Sequence, residues 1–375
     1  MDINKFKNSL SENFEYLTKQ LITCIGNKRS LLPNIHTTVL HIKKRLKKNH
    51  LRILDAFSGS GIVSRYFKQH AKYLATIDIE DYATVIARCY LKNKSEINLS
   101  AIKKIVINFN NIVENVEFPM GFIEEMYAPK SINHITKDDR VFYTPNNARR
   151  IDNYRRLIMD LPISIQNLFI GPLLSEASIH TNTSGVFKGF YKDKKTKVGR
   201  FGGTNGDALK RILGQIQLAV PILSQYECEV DVFQGDANKI APTLKDLDLV
   251  YLDPPYNQHP YGSNYFMLNL IANYKKPEKV SKVSGIPVDW RRSKYNSRSY
   301  FYDQFYNLLK SLQSRFLIIS FNNEGFISRN DIIQMLKHIG SVEITDIKYN
   351  TFRGCRNINN REKYVNEQLF LVEKF

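Results

Sequence analysis

The sequence predicts a doubly wound α/β fold, on three observations. Short apolar, β-branched runs alternate with helix-period segments from residue 51 to residue 93. Two of these runs end in an acid and a backbone-stiffening turn, "DAFSGSG" at 55–61 and "DPPY" at 253–256. The last two runs, "SVEITDIKYN" and "YVNEQLFLVEKF", face each other across a polar loop and form a C-terminal β-hairpin.

"LRILD" (51–55) is the first strand, and "AFSGSGIVSRYFKQ" is a glycine-punctuated turn opening a helix. "KYLATIDIE" is the second strand and "DYATVIARCYLKN" its following helix. "ECEVDVFQGDA", "LDLVYLDPP" and "SRFLIISFNNEG" supply three further strands. Strand two ends near Glu80 and the next sheet strand starts near Val230. That interval is far longer than a crossover needs, so residues 115–228 are expected to be a mostly helical insertion. In it, Thr144 and Pro145 read as the N-cap and first residue of a helix, and "SIQNLFIGPLLSEA" and "DALKRILGQIQLAV" as further helical stretches. The predicted organisation is one catalytic domain from 1–114 and 229–375, the insertion, and an additional basic loop at 275–301.

The chain has 375 residues, 43% hydrophobic, with a formal net charge of +18. A pI near 9.5 points to a polyanionic partner, nucleic acid before membrane. The 21 tyrosines and 22 phenylalanines suit base stacking beside phosphates. No apolar run reaches the length of a membrane span, and the first residues, "MDINKFKNSLSENF", lack the apolar core of a signal peptide. A cytoplasmic location is expected. Cys24, Cys89, Cys228 and Cys355 are scattered without zinc spacing and are expected to be reduced; no metal is expected.

Gly59 and Gly61 allow a tight turn and close approach of a ligand to the backbone. A dinucleotide fingerprint needs a third glycine where Ser64 stands. Asp78, 17 residues past Gly61, is placed either to accept ribose hydroxyls or to cap a helix. A nucleoside cofactor without a pyrophosphate fits this turn, with S-adenosylmethionine the obvious candidate. Asp236, in "QGDA", reads either as an acceptor for the cofactor's adenine amine or as a turn cap.

The DPPY turn matches a different chemistry. An exocyclic base amine has two N–H donors and a lone pair delocalised into its ring. The Asp253 carboxylate can accept one hydrogen and the Pro254 carbonyl, held still by Pro255, the other. Two acceptors on one amine favour a pyramidal nitrogen that can attack a methyl group. Tyr256 offers a ring on which a flipped base can stack.

Together these motifs resemble the DNA adenine-N6 methyltransferases of the D12 class, in which the cofactor motif precedes the catalytic one. The resemblance extends to "CIGNKRSLL" (24–32), which places Lys28 at the family's lysine, and to "SFNNEG" (320–325). It implies a Rossmann-like S-adenosylmethionine-dependent sheet whose insertion recognises the DNA target. It also implies cofactor contacts from Lys28, Asp55, Phe57, Gly59, Gly61, Asp78, Asp236 and Asp253, and catalysis by Asp253, Pro254, Pro255 and Tyr256. Double-stranded DNA is the implied partner, in a type II restriction–modification pair with a separate cognate endonuclease. Methylation of RNA adenine or of cytosine N4, and a non-catalytic nucleic-acid binder, are the alternatives.

Three basic segments are candidates for holding the DNA. Residues 186–200 carry six basic groups, Lys188, Lys192, Lys194, Lys195, Lys197 and Arg200, against one acid. Residues 275–298 carry eight against two, including Arg291 and Arg292. The hairpin tip supplies Arg353 and Arg356. The run "HIKKRLKKNH" (41–50) reads instead as the wet end of a helix.

Overall fold

The computed structural model describes residues 11–203, 206–322, 325–350 and 364–375. Seven strands form one sheet: β1 Leu51–Asp55, β2 Ala71–Asp78, β3 Glu229–Gln234, β4 Leu247–Leu252, β5 Ser314–Asn322, β6 Gly340–Asn350 and β7 Tyr364–Lys374. Their order is β3-β2-β1-β4-β5-β7-β6. The pairs from β3 through β5 are parallel, and β7 runs antiparallel to both neighbours, completing the expected hairpin. This is the Rossmann-like methyltransferase architecture.

Side-chain alternation explains why the central strands are largely apolar. Ile53, Leu249, Tyr251 and Ile318 point into one apolar layer, and Leu54, Val250, Leu252, Leu317 and Ile319 into the other. A parallel strand covered on both faces reads as a near-continuous hydrophobic run. All six residues of β4 are accordingly buried. The first layer contains Leu32–Leu46, Asp81–Tyr90, Ile163–Ile179 and Phe266–Asn273; the second contains Arg298–Ser311 and Arg329–Lys337. The helix at 32–46 ends where Lys47 turns left-handed, so the basic run at 41–50 straddles a helix end, as expected.

Strand order reverses between the parallel neighbours β1 and β4, where Leu54 pairs with Val250 and Asp55 with Tyr251. The strand ends on either side of such a reversal splay their loops apart and leave a crevice. Asp55 and Asp253 both stand at its edge.

Thr144 caps the helix Pro145–Met159 by accepting from Asn147 N, with Pro145 in the first turn, as the sequence predicts. The helix Ile163–Ile179 packs directly on Asp81–Tyr90. A Cβ added at Gly171 would meet Cys89 Sγ at 2.7 Å, so this contact requires glycine. The apolar helix inside the 115–228 segment therefore shares the core that covers the sheet. "DALKRILGQIQLAV" departs from the expected helix: only Leu209–Leu213 is helical. Beyond Gly214, two asparagines give the backbone better partners than the next turn. Asn147 donates to Gly214 O (2.8 Å) and accepts from Ile216 N (3.0 Å). Asn110 does both with Leu218, each at 3.0 Å. Among the described residues no helix is long and apolar enough to cross a membrane.

Candidate active site

A cavity of about 240 Å³ occupies the crevice at the ends of β1, β2 and β4. The loop 24–28, the turn 55–60, residues 78–80 and 235–237, Asp253, Pro255 and the strap 291–296 line it.

The turn after β1 is shaped by its glycines. Gly59 and Gly61 have φ of +47° and +72°, in the left-handed region that favours glycine. A Cβ at Gly59 would meet nothing within 4 Å, whereas one at Gly61 would press on Ile86 at 3.1 Å. Gly59 thus faces open space and Gly61 seats the turn against the helix behind it. Asp55 lies beneath this turn, 1% exposed. Its Oδ2 accepts from the Ser64 hydroxyl, while its buried Oδ1 has no hydrogen-bond partner. Burial pushes its pKa up to about 7, with the Asp253 charge adding to the rise and the Ser64 hydrogen bond opposing it. A buried carboxylate oxygen on the wall of a cavity calls for a cationic partner.

Linkage gives this carboxyl a testable sign. The unfolded protein ionises Asp55 near 3.8 and the folded protein near 7, so the penalty is absent below the first value, builds between the two and is complete above the second. Each pKa unit of that rise corresponds to about 1.4 kcal/mol. Asp55→Asn is expected to raise the melting temperature of the ligand-free protein at pH 8 and to leave it almost unchanged at pH 4. Equal effects at both pH values would contradict the burial of an ionised Asp55.

The second strand ends in acids that also face the cavity. Asp78 accepts from Gly59 N at 2.7 Å and from Glu80 N at 2.9 Å. It ties the glycine turn to β2, so a backbone-anchoring role is present and any ribose contact must use its remaining lone pairs. Glu80, not singled out in the sequence, lines the cavity 3% exposed, and burial raises its pKa to about 7. Asp236 caps the short helix Ala237–Ile240 through Asn238 N at 3.0 Å and lines the same cavity.

The strap changes the picture of the second basic loop. Arg291 pairs with Asp81 and donates to Ile79 O at 3.2 Å, while the Arg292 guanidinium stacks 4.5 Å from the Trp290 ring. Both arginines, expected to touch DNA, line this cavity. Tyr295, another residue the sequence did not single out, meets Phe57 edge-on at 5.2 Å and donates to Asn238 Oδ1 at 2.7 Å. The Asn296 side chain donates to Asn257 O at 2.9 Å and joins the strap to the loop after β4.

Beyond β4, Asp253 faces the cavity with 21% of its side chain exposed. Lys28 Nζ stands 3.3 Å from Asp253 Oδ1 and 2.5 Å from Glu367 Oε1. Burial pushes the Asp253 pKa up to about 6, Lys28 pulls it down and Glu367 adds to the rise. Burial works against the charged Lys28, but Asp253 and its neighbours win and hold it well above the ordinary lysine value. Pro255 lines the cavity; Tyr256 is 7% exposed, with its ring 4.8 Å from Phe321 and Lys28 Nζ 5.8 Å from its centre.

A second, larger groove of about 1440 Å³ runs along residues 181–200, with Gln20–Thr23 on its other side. Lys188, Lys192, Lys194, Lys197 and Arg200 line it; Lys195 does not. Asp193, the one acid of this segment, accepts from Lys195 N and Thr196 N, which shapes the turn that displays the lysines. The chain from Gln20 to Lys28 is common to both cavities: its first half walls the groove and its second half the crevice. Arg353 and Arg356 lie outside the described residues.

The family model for D12 class N6 adenine-specific DNA methyltransferases matches residues 25–313, from the Lys28 loop past DPPY. The chain belongs to this family. It is an adenine-N6 DNA methyltransferase, and the cavity joins the turn after β1 to the loop after β4. Its relatives include the type II methyltransferase M.NlaIII of Neisseria lactamica, 26% identical over 93% of this chain and 98% of that enzyme. M.CviAII of Paramecium bursaria Chlorella virus 1 is 26% identical over 88% and 93% of the two chains. M.FokI of Planomicrobium okeanokoites is 27% identical over 93% of this methyltransferase, which spans only 52% of M.FokI. Among the methyltransferase's described residues no cluster of three or more His, Cys, Asp or Glu could hold a metal ion.

Proposed function

We propose that this methyltransferase modifies adenine in a specific duplex sequence with S-adenosylmethionine as methyl donor, as the modification enzyme of a type II restriction–modification system. The observation that carries the donor assignment is the orphaned Asp55 Oδ1 under an open glycine turn. That oxygen suits an ammonium group, the Phe57–Tyr295 pair suits a flat base, and Asp78, Glu80 and Asp236 suit the hydroxyls and amine of a nucleoside. S-adenosylmethionine, when bound, supplies an electrophilic methyl group on a sulfonium.

The remaining chemistry belongs to the loop after β4. Asp253 accepts one N–H of the adenine amine and the Pro254 carbonyl accepts the other. This geometry turns the nitrogen lone pair toward the methyl group, so positioning and preorganised dipoles lower the barrier. The surplus proton leaves the nitrogen for Asp253, whose pKa of about 6 suits a transient acceptor near neutral pH. Tyr256 stacks on the base, which must leave the duplex to arrive there. The lysines of the large groove hold the phosphate backbone, and the 115–228 segment reads the sequence.

The pairing with an endonuclease is proposed from relatives named as type II enzymes. Titration of the protein with S-adenosylmethionine by calorimetry, followed by transfer of a tritiated methyl group to duplex DNA, tests the donor. Binding with transfer is expected; no binding refutes the donor. Protection of the methylated DNA from an endonuclease encoded beside this gene tests the pairing, and cleavage of fully methylated sites refutes it.

A further inference from the structure

A third charged group, outside both motifs and outside the 25–313 match, completes the site. Glu367 lies on β7, opposite Asn322 of β5 and Ile347 of β6, and is 4% exposed. Its Oε1 accepts from Lys28 Nζ at 2.5 Å and from the Ser320 hydroxyl at 2.8 Å. Ser320 stands on β5 and is fully buried. Lys28 is therefore closer to Glu367 than to Asp253. With Lys28 and Glu367 both buried, little water screens this attraction.

Two carboxylates share one ammonium, and this matters for the acceptor. Were Lys28 paired with Asp253 alone, its three N–H donors would converge on the oxygens that the substrate amine needs. The antiparallel register of β7 against β5 brings Glu367 to Lys28, where it takes up one of those donors.

We propose that Glu367 is a positioning residue for methyl transfer: by drawing Lys28 toward β7, it keeps the Asp253 carboxylate available to the target amine. This rests on the proposed role of Asp253 as amine acceptor. The other titratable groups around Asp253 are Asp55 on β1, Tyr251 on β4, Cys24 in the Lys28 loop, and Tyr256 and Tyr261 beyond β4. Burial keeps the cysteine and the tyrosines neutral through the pH range of the enzyme. Asp55 stands on β1 and feels the Asp253 charge.

The test is the pH dependence of kcat/KM on genomic duplex DNA with S-adenosylmethionine, for wild type, Glu367→Gln and Ser320→Ala. Glu367→Gln is expected to lower kcat by about tenfold, the lower range for a partner that orients a reacting group. Its acid limb moves down by about one pH unit, because a charge that raised the Asp253 pKa is gone and Lys28 falls wholly on Asp253. Ser320→Ala moves the limb the opposite way, since Glu367 Oε1 then serves Lys28 alone. A purely structural Glu367 would lower the melting temperature and the active fraction at every pH alike. That result, or an unchanged kcat in Glu367→Gln, overturns the proposal. If Glu367→Gln does not fold, the direction of the Ser320→Ala shift decides. Asp253→Asn, measured in parallel, separates the two roles. An active Asp253→Asn defeats the acceptor itself, whereas an inactive one beside an unmoved limb in Glu367→Gln defeats only the part given to Glu367.

Discussion

Asp253→Ala is expected to reduce methyl transfer by at least about two orders of magnitude, the scale of losing one preorganised polar group at a reacting centre. The loss is catalytic because the fold has little reason to fail. Lys28 keeps Glu367 as a counter-charge at 2.5 Å, so no buried ammonium is left alone. β4 ends at Leu252, so its ladder is untouched. The cavity also loses a carboxylate whose burial raised its pKa to about 6, which by the linkage argument above stabilises the folded chain near neutral pH. Single-turnover methylation with thermal melts checks this. Near-normal turnover in a folded Asp253→Ala protein removes the carboxylate from the mechanism.

Replacing Lys192, Lys194 and Lys197 together with alanine is expected to produce the largest change in DNA binding. All three line the large groove. Each phosphate contact contributes about 0.9 to the slope of log K against log salt, so the slope falls by up to about 2.7 for the triple variant. Binding to cognate and unrelated duplexes weakens together, because phosphate contacts carry no sequence information. Fluorescence anisotropy over a salt series measures both quantities. A slope equal to that of wild type makes the groove a solvated surface.

The parts of this site legible in the sequence are those where backbone geometry restricts residue type. Two prolines directly after an apolar run must end a strand, and glycines at positive φ must make a tight turn, so Asp253 and Gly59 declare their places by their neighbours. The sheet was legible for a related reason: β1, β4 and β5 are covered on both faces and read as mostly apolar runs. The family match then decides between adenine in DNA and the alternative amine substrates, which the DPPY turn serves equally well.

Residues whose roles depend on distant partners were not legible. Glu367 lies 339 residues from Lys28, and only the register of β7 on β5 brings them together. Tyr295 and Arg291 sat in a loop whose composition pointed to DNA, yet Asp81 and Asn238 hold that loop against the crevice. Composition reports charge, and it does not report which acid a given arginine meets. The helix expected beyond Leu213 failed in the same way, because the asparagines that capture this backbone, Asn110 and Asn147, lie more than sixty residues earlier.

The most direct measurement of the amine clamp is the identity of the product base. Duplex DNA from a host lacking methylation, treated with the protein and S-adenosylmethionine, is digested to nucleosides and separated by liquid chromatography with mass detection. N6-methyladenine from wild type, none from Asp253→Ala, and no other methylated nucleoside is the expected result. N4-methylcytosine as the main product, or equal N6-methyladenine from both proteins, would contradict an adenine amine held by Asp253.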